Sequence, residues 1–423
     1  MGTFSAETYQ NEYLASGASE VNAIVTVRCA GGGLPIAGAG SAEVVIVDTS
    51  ASMSGPRIRA AREATAAAVD CIADGVAFGV VAGSKSARFV YPEKGELAIA
   101  SPETRAAAKA AVKDLRASGG TAIGQWLLAA RHLFESCPDA IHHAILLTDG
   151  KNESESRMSL EQAVELCRGS FQCDCRGVGT DWEVAELRYV ASNLLGTVDI
   201  VAQPEELEAD FQEMIQQAMG RATGDVSLCV WTPQGATTAF LRQVAPAIED
   251  LTPKPEAPAA LTLDYPTGAW GEESRDYHLC INVAPRQVGE EMLAARVSLV
   301  VGDEVISQAL IKAHWTDDQQ LSTRINREVA HYTGQAELAE AIQDGLEARK
   351  GGDEQTATFK LGRAVQLATE SGNDGTLRLL QQVVDVTDAS TGTVRLRPRV
   401  DEADEMALDT RSTRSVRVKE PAP

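Results

Sequence analysis

What most constrains the fold is a series of short, unbroken apolar runs, each followed by a stretch of helical period. Val44-Val45-Ile46-Val47 runs into Asp48, residues 76–82 form a second run, and Ala144-Ile145-Leu146-Leu147 runs into Thr148-Asp149-Gly150. A strand without a polar alternate face belongs to a parallel sheet covered on both sides. After Pro56, Ile58, Ala61, Ala64, Ala68 and Ile72 recur at helical spacing, and helical patterns follow at 103–115 and 123–134. A helix at 160–167, a strand near 173–178, a helix at 182–192, a strand at 197–201 and a helix at 204–219 continue the alternation. The pattern predicts an α/β domain over residues 41–221, with a doubly wound, mostly parallel sheet.

On either side the period is two. Val21, Ala23, Val25, Val27 and Cys29 share one face before Gly31-Gly32-Gly33 and Pro35 break the strand. Alternation resumes after Thr223-Gly224, at Val226-Leu228-Val230, Tyr277-Leu279-Ile281-Val283, Val297-Leu299-Val301 and residues 305–313, around a Pro-rich loop at 253–258. These strands predict a β-sandwich built from residues 1–40 and 222–316, with the α/β domain inserted into it. Residues 317–386 read as a small bundle of two helical hairpins. Its helices are marked by Leu321, Ile325 and Val329, then Leu338 to Leu346, Leu361 to Ala368, and Leu377 to Val384. Residues 387–423 read as a charged tail, flexible from about Met406. Within it, Thr410-Arg411-Ser412-Thr413-Arg414-Ser415 has two readings. Either Thr410 and Thr413 dock on a phosphothreonine reader once phosphorylated, or the segment is a solvated tail.

Composition narrows the partners. The 423 residues carry a net charge of -22, with 44% hydrophobic and 23% charged residues. That charge argues against nucleic acid, which needs a clustered basic surface, and against an anionic membrane. No apolar run reaches the length that spans a bilayer, and the first residues, MGTFSAETYQNEYL, lack a signal-peptide pattern. A cytoplasmic location is the expectation. The eight cysteines, mostly inside apolar runs, read as reduced structural thiols. Cys173 and Cys175 read as packing residues of a strand, not as half of a zinc site.

The candidate site lies where the apolar runs end. Asp48-Thr49-Ser50-Ala51-Ser52 sets one carboxylate and two hydroxyls at the carboxyl end of a buried strand, the edge where open α/β sheets bind ligands. Gly119-Gly120-Thr121 offers a third hydroxyl, and Asp149 ends another buried strand. All five donors are oxygens, which suits Mg²⁺, Mn²⁺ or Ca²⁺ over Zn²⁺ or Cu²⁺.

Three separated pieces in this order resemble the von Willebrand factor A family with its metal-ion-dependent adhesion site. The resemblance covers roughly residues 41–221. It implies that Asp48, Ser50 and Ser52 form a first loop, Thr121 a second and Asp149 a third, together holding a divalent ion. In the family the hydroxyls touch the metal and the aspartates often act through water. Two carboxylates roughly neutralise the ion, which keeps a position open for an Asp or Glu of a partner protein. The resemblance further implies that such binding can shift the last helix of the domain, at 204–219. The chain as a whole resembles uncharacterised bacterial multidomain proteins that set such a domain between sandwich strands. The expected function is a metal-dependent protein-binding module, a cytosolic adaptor or scaffold and not an enzyme. An accessory subunit of an ATPase or chelatase-type machine is the alternative, and a metal-dependent hydrolase a weaker one.

Three other patterns carry less. Gly79 to Ser86 approaches a phosphate-binding loop but has Ser84 where glycine is needed, so it reads as a hairpin turn. His142 and His143 point to opposite faces of a strand and read as surface or turn residues. Ser50 and Ser52 lack a Gly-x-Ser-x-Gly elbow and a nearby His, so they do not read as hydrolase nucleophiles.

Overall fold

The computed structural model describes residues 3–31, 40–221, 223–254 and 261–418. Gly32, Gly33, Pro35 and residues 255–258 of the Pro-rich loop lie outside them. The chain divides into two compact units. One comprises Gly31–Gly224 with Gly268–Gly271, and the other Thr3–Ala30, Asp225–Thr267 and the chain from Glu272 onward.

The chain enters the second unit first, through β1 (Thr3–Gln10), β2 (Tyr13–Ala15) and β3 (Glu20–Ala30). The α/β unit then begins with β4 (Ser41–Asp48), buried from Ala42 to Asp48 on both faces. Next come α1 (Pro56–Cys71), β5 (Ala77–Gly83), β6 (Ala87–Tyr91), β7 (Ala98–Ile99), α2 (Pro102–Lys113) and α3 (Ile123–Phe134). The unit continues with β8 (Ile141–Thr148), α4 (Arg157–Cys167), β9 (Gln172–Val178), α5 (Val184–Asn193), β10 (Val198–Val201) and α6 (Leu207–Met219). The sheet order is β10-β9-β8-β4-β5-β6, with β7 also on β5. Pairings among β10, β9, β8, β4 and β5 are parallel, and β6 and β7 run antiparallel to β5. Successive strands are laid down on opposite sides of β4, so the order reverses between β4 and β8. That is the switch point at which doubly wound sheets form a crevice.

Helices cover both faces. Phe78, Val80, Val45 and Val47 pack with Ile58, Ala61 and Ala68 of α1 and with Phe211 and Ile215 of α6. Two strand glycines make room for indoles: a Cβ at Gly83 would stand 2.3 Å from the Trp126 ring, and one at Gly177 would stand 1.8 Å from Trp182. Each indole also donates from its Nε1, Trp126 to the Ser84 carbonyl at 2.6 Å and Trp182 to that of Gly179 at 2.9 Å. Residues 79–86, read as a hairpin turn, hold the end of β5 and the turn at 84–86 that leads into the antiparallel β6. All eight cysteines are free thiols. Cys173 and Cys175 are both buried in β9, where hydrogen bonding with Cys175 and burial hold the Cys173 thiol well above its ordinary range.

The second unit resumes with β11 (Val226–Trp231), β12 (Ala236–Ala245), β13 (Glu249–Asp250), β14 (Thr262–Pro266), β15 (Glu273–Val283), β16 (Glu291–Val301) and β17 (Glu304–Thr316). Two five-stranded sheets result, ordered β1-β3-β15-β12-β13 and β14-β11-β16-β17-β2. Strands from before and after the α/β unit share both sheets, which is the insertion that the flanking alternation predicted.

Helices α7 (Gln319–Ser322), α8 (Arg327–Lys350), α9 (Glu354–Ser371) and α10 (Asp374–Val383) follow, then a hairpin of β18 (Val384–Asp388) and β19 (Thr393–Leu396), and α11 (Glu402–Arg411). Two expectations are corrected here. Leu321, Ile325 and Val329 do not mark one helix: Leu321 lies in the four-residue α7, Ile325 falls between helices, and Val329 shares with Leu338 to Leu346 the helix α8, which runs unbroken over 24 residues. The segment after Met406 does not begin as a flexible tail. It lies in α11, which buries Met406 and Leu408. Thr410 is buried with its hydroxyl donating to the Met406 carbonyl at 2.8 Å, so a kinase could reach it only if α11 opened. Thr413 is half-buried, and its carbonyl accepts the Ile248 amide at 2.8 Å. Among the described residues no helix is long and apolar enough to cross a membrane.

Candidate functional site

Three loops meet at the carboxyl edge of the sheet, beside the β4/β8 switch point. Asp48 is the last residue of β4, and its Oδ1 accepts the Ser50 amide at 2.6 Å. That bond turns the chain sharply into a short 3-10 segment, Ala51–Met53. The first loop is fastened to its neighbours through the backbone. Thr49 donates its amide to the Gly83 carbonyl at 2.6 Å, Ala51 donates to Gly119 at 2.9 Å, and Ser118 donates back to Thr49 at 2.7 Å. The second loop is thereby locked to the first. The third is tied to the second by the Ser154 amide, which donates to the Thr121 carbonyl at 2.9 Å.

All five residues singled out in the sequence come together. Ser50 Oγ and Ser52 Oγ stand 2.8 Å apart, and Ser52 Oγ donates to Asp149 Oδ1 at 2.7 Å. A Cβ built on Gly150 would meet Ser52 Oγ at 3.1 Å and Thr121 Oγ1 at 3.5 Å, so both hydroxyls border one small space that the bare glycine leaves clear. Asp48 and Asp149 are fully buried, Ser50 and Thr121 nearly so, and Ser52 is exposed. The cradle is therefore closed below and open at its rim.

The donor set and its spacings fit a hard divalent cation. Six oxygens at about 2.1 Å around Mg²⁺ leave neighbouring oxygens about 3 Å apart. The 2.8 Å and 2.7 Å contacts through Ser52 sit close to that edge. Burial raises the Asp48 carboxyl to about 6, against the hydrogen bonds from Thr148 and Ser50 and with the help of the Asp149 charge. Two buried carboxylates side by side favour positive charge between them.

Several supporting residues were not singled out in the sequence. Thr148 donates its hydroxyl to Asp48 Oδ2 at 2.6 Å, joining β8 to β4 at the site. Asn152 and Glu155 of the third loop accept the Ile123 and Gly124 amides at 2.8 Å and 2.6 Å, which holds the start of α3 behind Thr121. Arg57, at the start of α1, donates to Asp149 Oδ2 at 2.7 Å and to Asp181 Oδ2 at 2.8 Å. Thr148 stood in view beside Asp149, but nothing local marks Arg57, whose partners lie 92 and 124 residues away.

A second polar cluster corrects the reading of the histidines. His143 is not a surface residue. It lies buried between Glu43 and Asp174 on adjacent strands, with Nδ1 2.7 Å from Glu43 Oε2 and Nε2 2.8 Å from Asp174 Oδ2. Burial alone would depress its pKa, but the Glu43 charge and the Asp174 hydrogen bond outweigh it and raise the imidazole to about 9. Asp174 is driven well below the usual carboxylate range, the His143 bond and charge overcoming burial. His142 points the other way. Its ring is 4.5 Å from that of Phe134, and its nitrogens contact the Ser170 and Cys137 carbonyls.

Fold and site together define a class: a doubly wound α/β domain with a carboxylate-and-hydroxyl cradle at its switch point, set between sandwich strands. Residues 42–200 match the model of the von Willebrand factor type A domain, and residues 366–412 match that of the von Willebrand factor type A C-terminal domain. The solved von Willebrand factor type A protein from Catenulispora acidiphila is 48% identical, covering 99% of this chain and 98% of that one at a TM-score of 0.93. The chain belongs to the von Willebrand factor type A family. The ArnB paralog VWA2 from Sulfolobus acidocaldarius shares the fold at 15% identity and a TM-score of 0.60, over 98% of this chain and 99% of that one. An uncharacterized protein of Synechocystis sp. is 24% identical over 215 residues, which are 49% of this chain and 49% of that protein. The chain thus spans about half the length of this curated relative.

Proposed function

We propose that this chain is a divalent-cation-dependent protein-binding module that grips an Asp or Glu of a partner, working as an adaptor or scaffold in the cytoplasm and not as an enzyme. The observation that carries this is the meeting of Asp48, Ser50, Ser52, Thr121 and Asp149, from three loops, around one space open at its rim. Ser50, Ser52 and Thr121 would hold a Mg²⁺ or Mn²⁺ ion directly, with Asp48 and Asp149 supplying the compensating charge. When bound, the ion supplies an electrophilic centre that a carboxylate can complete. The residues of the chain do the rest. Thr148 and the Ser50 amide fix the rotamer of Asp48, and the backbone bonds among Thr49, Gly83, Ser118 and Gly119 keep the loops in register. The carboxylates that the Ser52 and Thr148 hydroxyls meet, Asp149 and Asp48, are the groups that would balance the charge of the ion, which favours binding over turnover.

The direct test is capture of partners from the host's own extract in Mg²⁺ and in EDTA, repeated with Asp149→Ala. A prey present in Mg²⁺ and lost in both controls is the expected result. Prey unchanged in all three arms would move the binding surface away from the cradle. Co-purification of an ATPase in that capture would favour the accessory-subunit reading over the adaptor.

A further inference from the structure

Arg57 gives the cradle a third charge. Its guanidinium sits at the rim, with the side chain 29% exposed, and forks between buried Asp149 and Asp181, whose side chain is 63% exposed. Gly179, at a φ of +67°, makes room: a Cβ there would already stand 3.4 Å from Arg57 Nη2. The two contacts differ in weight, because an exposed pair is screened by water and salt while a buried carboxylate is not.

We propose that Arg57 makes retention of the ion depend on capture of an acidic ligand. This deepens the function proposed above and rests on it. Asp48 and Asp149 carry two negative charges. A divalent ion on those two alone is neutralised, and an incoming carboxylate leaves the centre with an excess negative charge. With Arg57 included, the loaded centre is net positive. It holds the ion less tightly by itself and is neutralised by one carboxylate from outside. The same residue weakens the ion alone and strengthens the ion with its ligand, which is a coupling between two binding events.

Mn²⁺ titration of the full chain by calorimetry tests this, alone and with N-acetyl-L-glutamic acid α-amide as the carboxylate probe. Arg57→Gln should bind Mn²⁺ alone about tenfold more tightly than the wild type, and the probe should strengthen wild-type binding much more than that of the variant. Arg57→Lys, which keeps the charge, should stay close to the wild type. Asp181→Asn, an exposed change that leaves Arg57 wholly on Asp149, should weaken binding, and it tests the same charge should Arg57→Gln fold poorly. If Arg57→Gln binds no more tightly, if Arg57→Lys tightens as much as Arg57→Gln, or if Asp181→Asn strengthens binding, the coupling is wrong while wild-type ion binding still supports the cradle. If the wild type and all variants bind no Mn²⁺, the function proposed above fails and takes the coupling with it.

Discussion

A methyl group at position 150 would stand 3.1 Å from Ser52 Oγ and 3.5 Å from Thr121 Oγ1, inside the space these hydroxyls border. Gly150→Ala should therefore weaken Mg²⁺ binding about tenfold or more, the equivalent of at least about 1.4 kcal/mol. Its thermal unfolding without the ion should change little; a large loss of stability there would assign Gly150 a folding role instead. His143 makes the second residue-scale case. Removing it as His143→Gln leaves Glu43 and Asp174 buried without their cation, which should cost about 3–5 kcal/mol. The pH dependence has a defined sign. His143 is raised from 6.5 to about 9 in the fold, so its stabilisation is complete below about 6.5 and is lost as the pH rises through about 9. Asp174 is depressed from 3.8, so its contribution is present above that value and is lost on acidification below it. In denaturant unfolding, the gap between the wild type and His143→Gln should shrink between about pH 7 and pH 10. A gap that widens would contradict the charged cluster. The five cradle residues were legible because each lies in a local motif: Asp48, Ser50, Ser52 and Asp149 at the ends of apolar runs, and Thr121 after a glycine pair just before a helix. Arg57 and His143 were not, because their roles come from partners far off in sequence.

At the scale of elements, helices of this chain carry their own stop and start signals. Asn373 caps α10 by accepting the Thr376 amide at 3.1 Å, and its amide nitrogen reaches Gln335 Oε1 at 3.3 Å. Asn373→Ala should destabilise the second unit by about 1–2 kcal/mol, measured by chemical denaturation. No measurable loss would mean that α10 is held by packing alone. The α/β strands were legible because their apolar runs are continuous. Strand β12 was not, although it buries Ala236, Leu241, Val244 and Ala245. Its pairing with β15 shifts register between Thr238 and Phe240 and again between Gln243 and Ala245. Each bulge moves the apolar residues to a new phase and erases the period of two. Strand β1 was missed for another reason: as an edge strand it buries little beyond Phe4. Helix α8 carries Gly334 in its interior, where a Cβ would meet nothing within 4 Å. A solvent-facing glycine costs a helix about 1 kcal/mol, which a long packed helix absorbs.

Over the whole chain, the cradle, the sheet beneath it and the flanking sandwich follow from one arrangement of strands. The flanking alternation identified an insertion because strands before residue 31 and after residue 224 share both sheets. What the family likeness adds is the expectation that the cradle holds an ion and meets a carboxylate. Calorimetric titration of the wild type and Asp149→Ala with Mg²⁺ and Mn²⁺ tests it most directly. One saturable site per chain is expected in the wild type, and its loss in a variant that keeps the wild-type circular dichroism. Absence of binding to the wild type, or equal binding by both proteins, would contradict it.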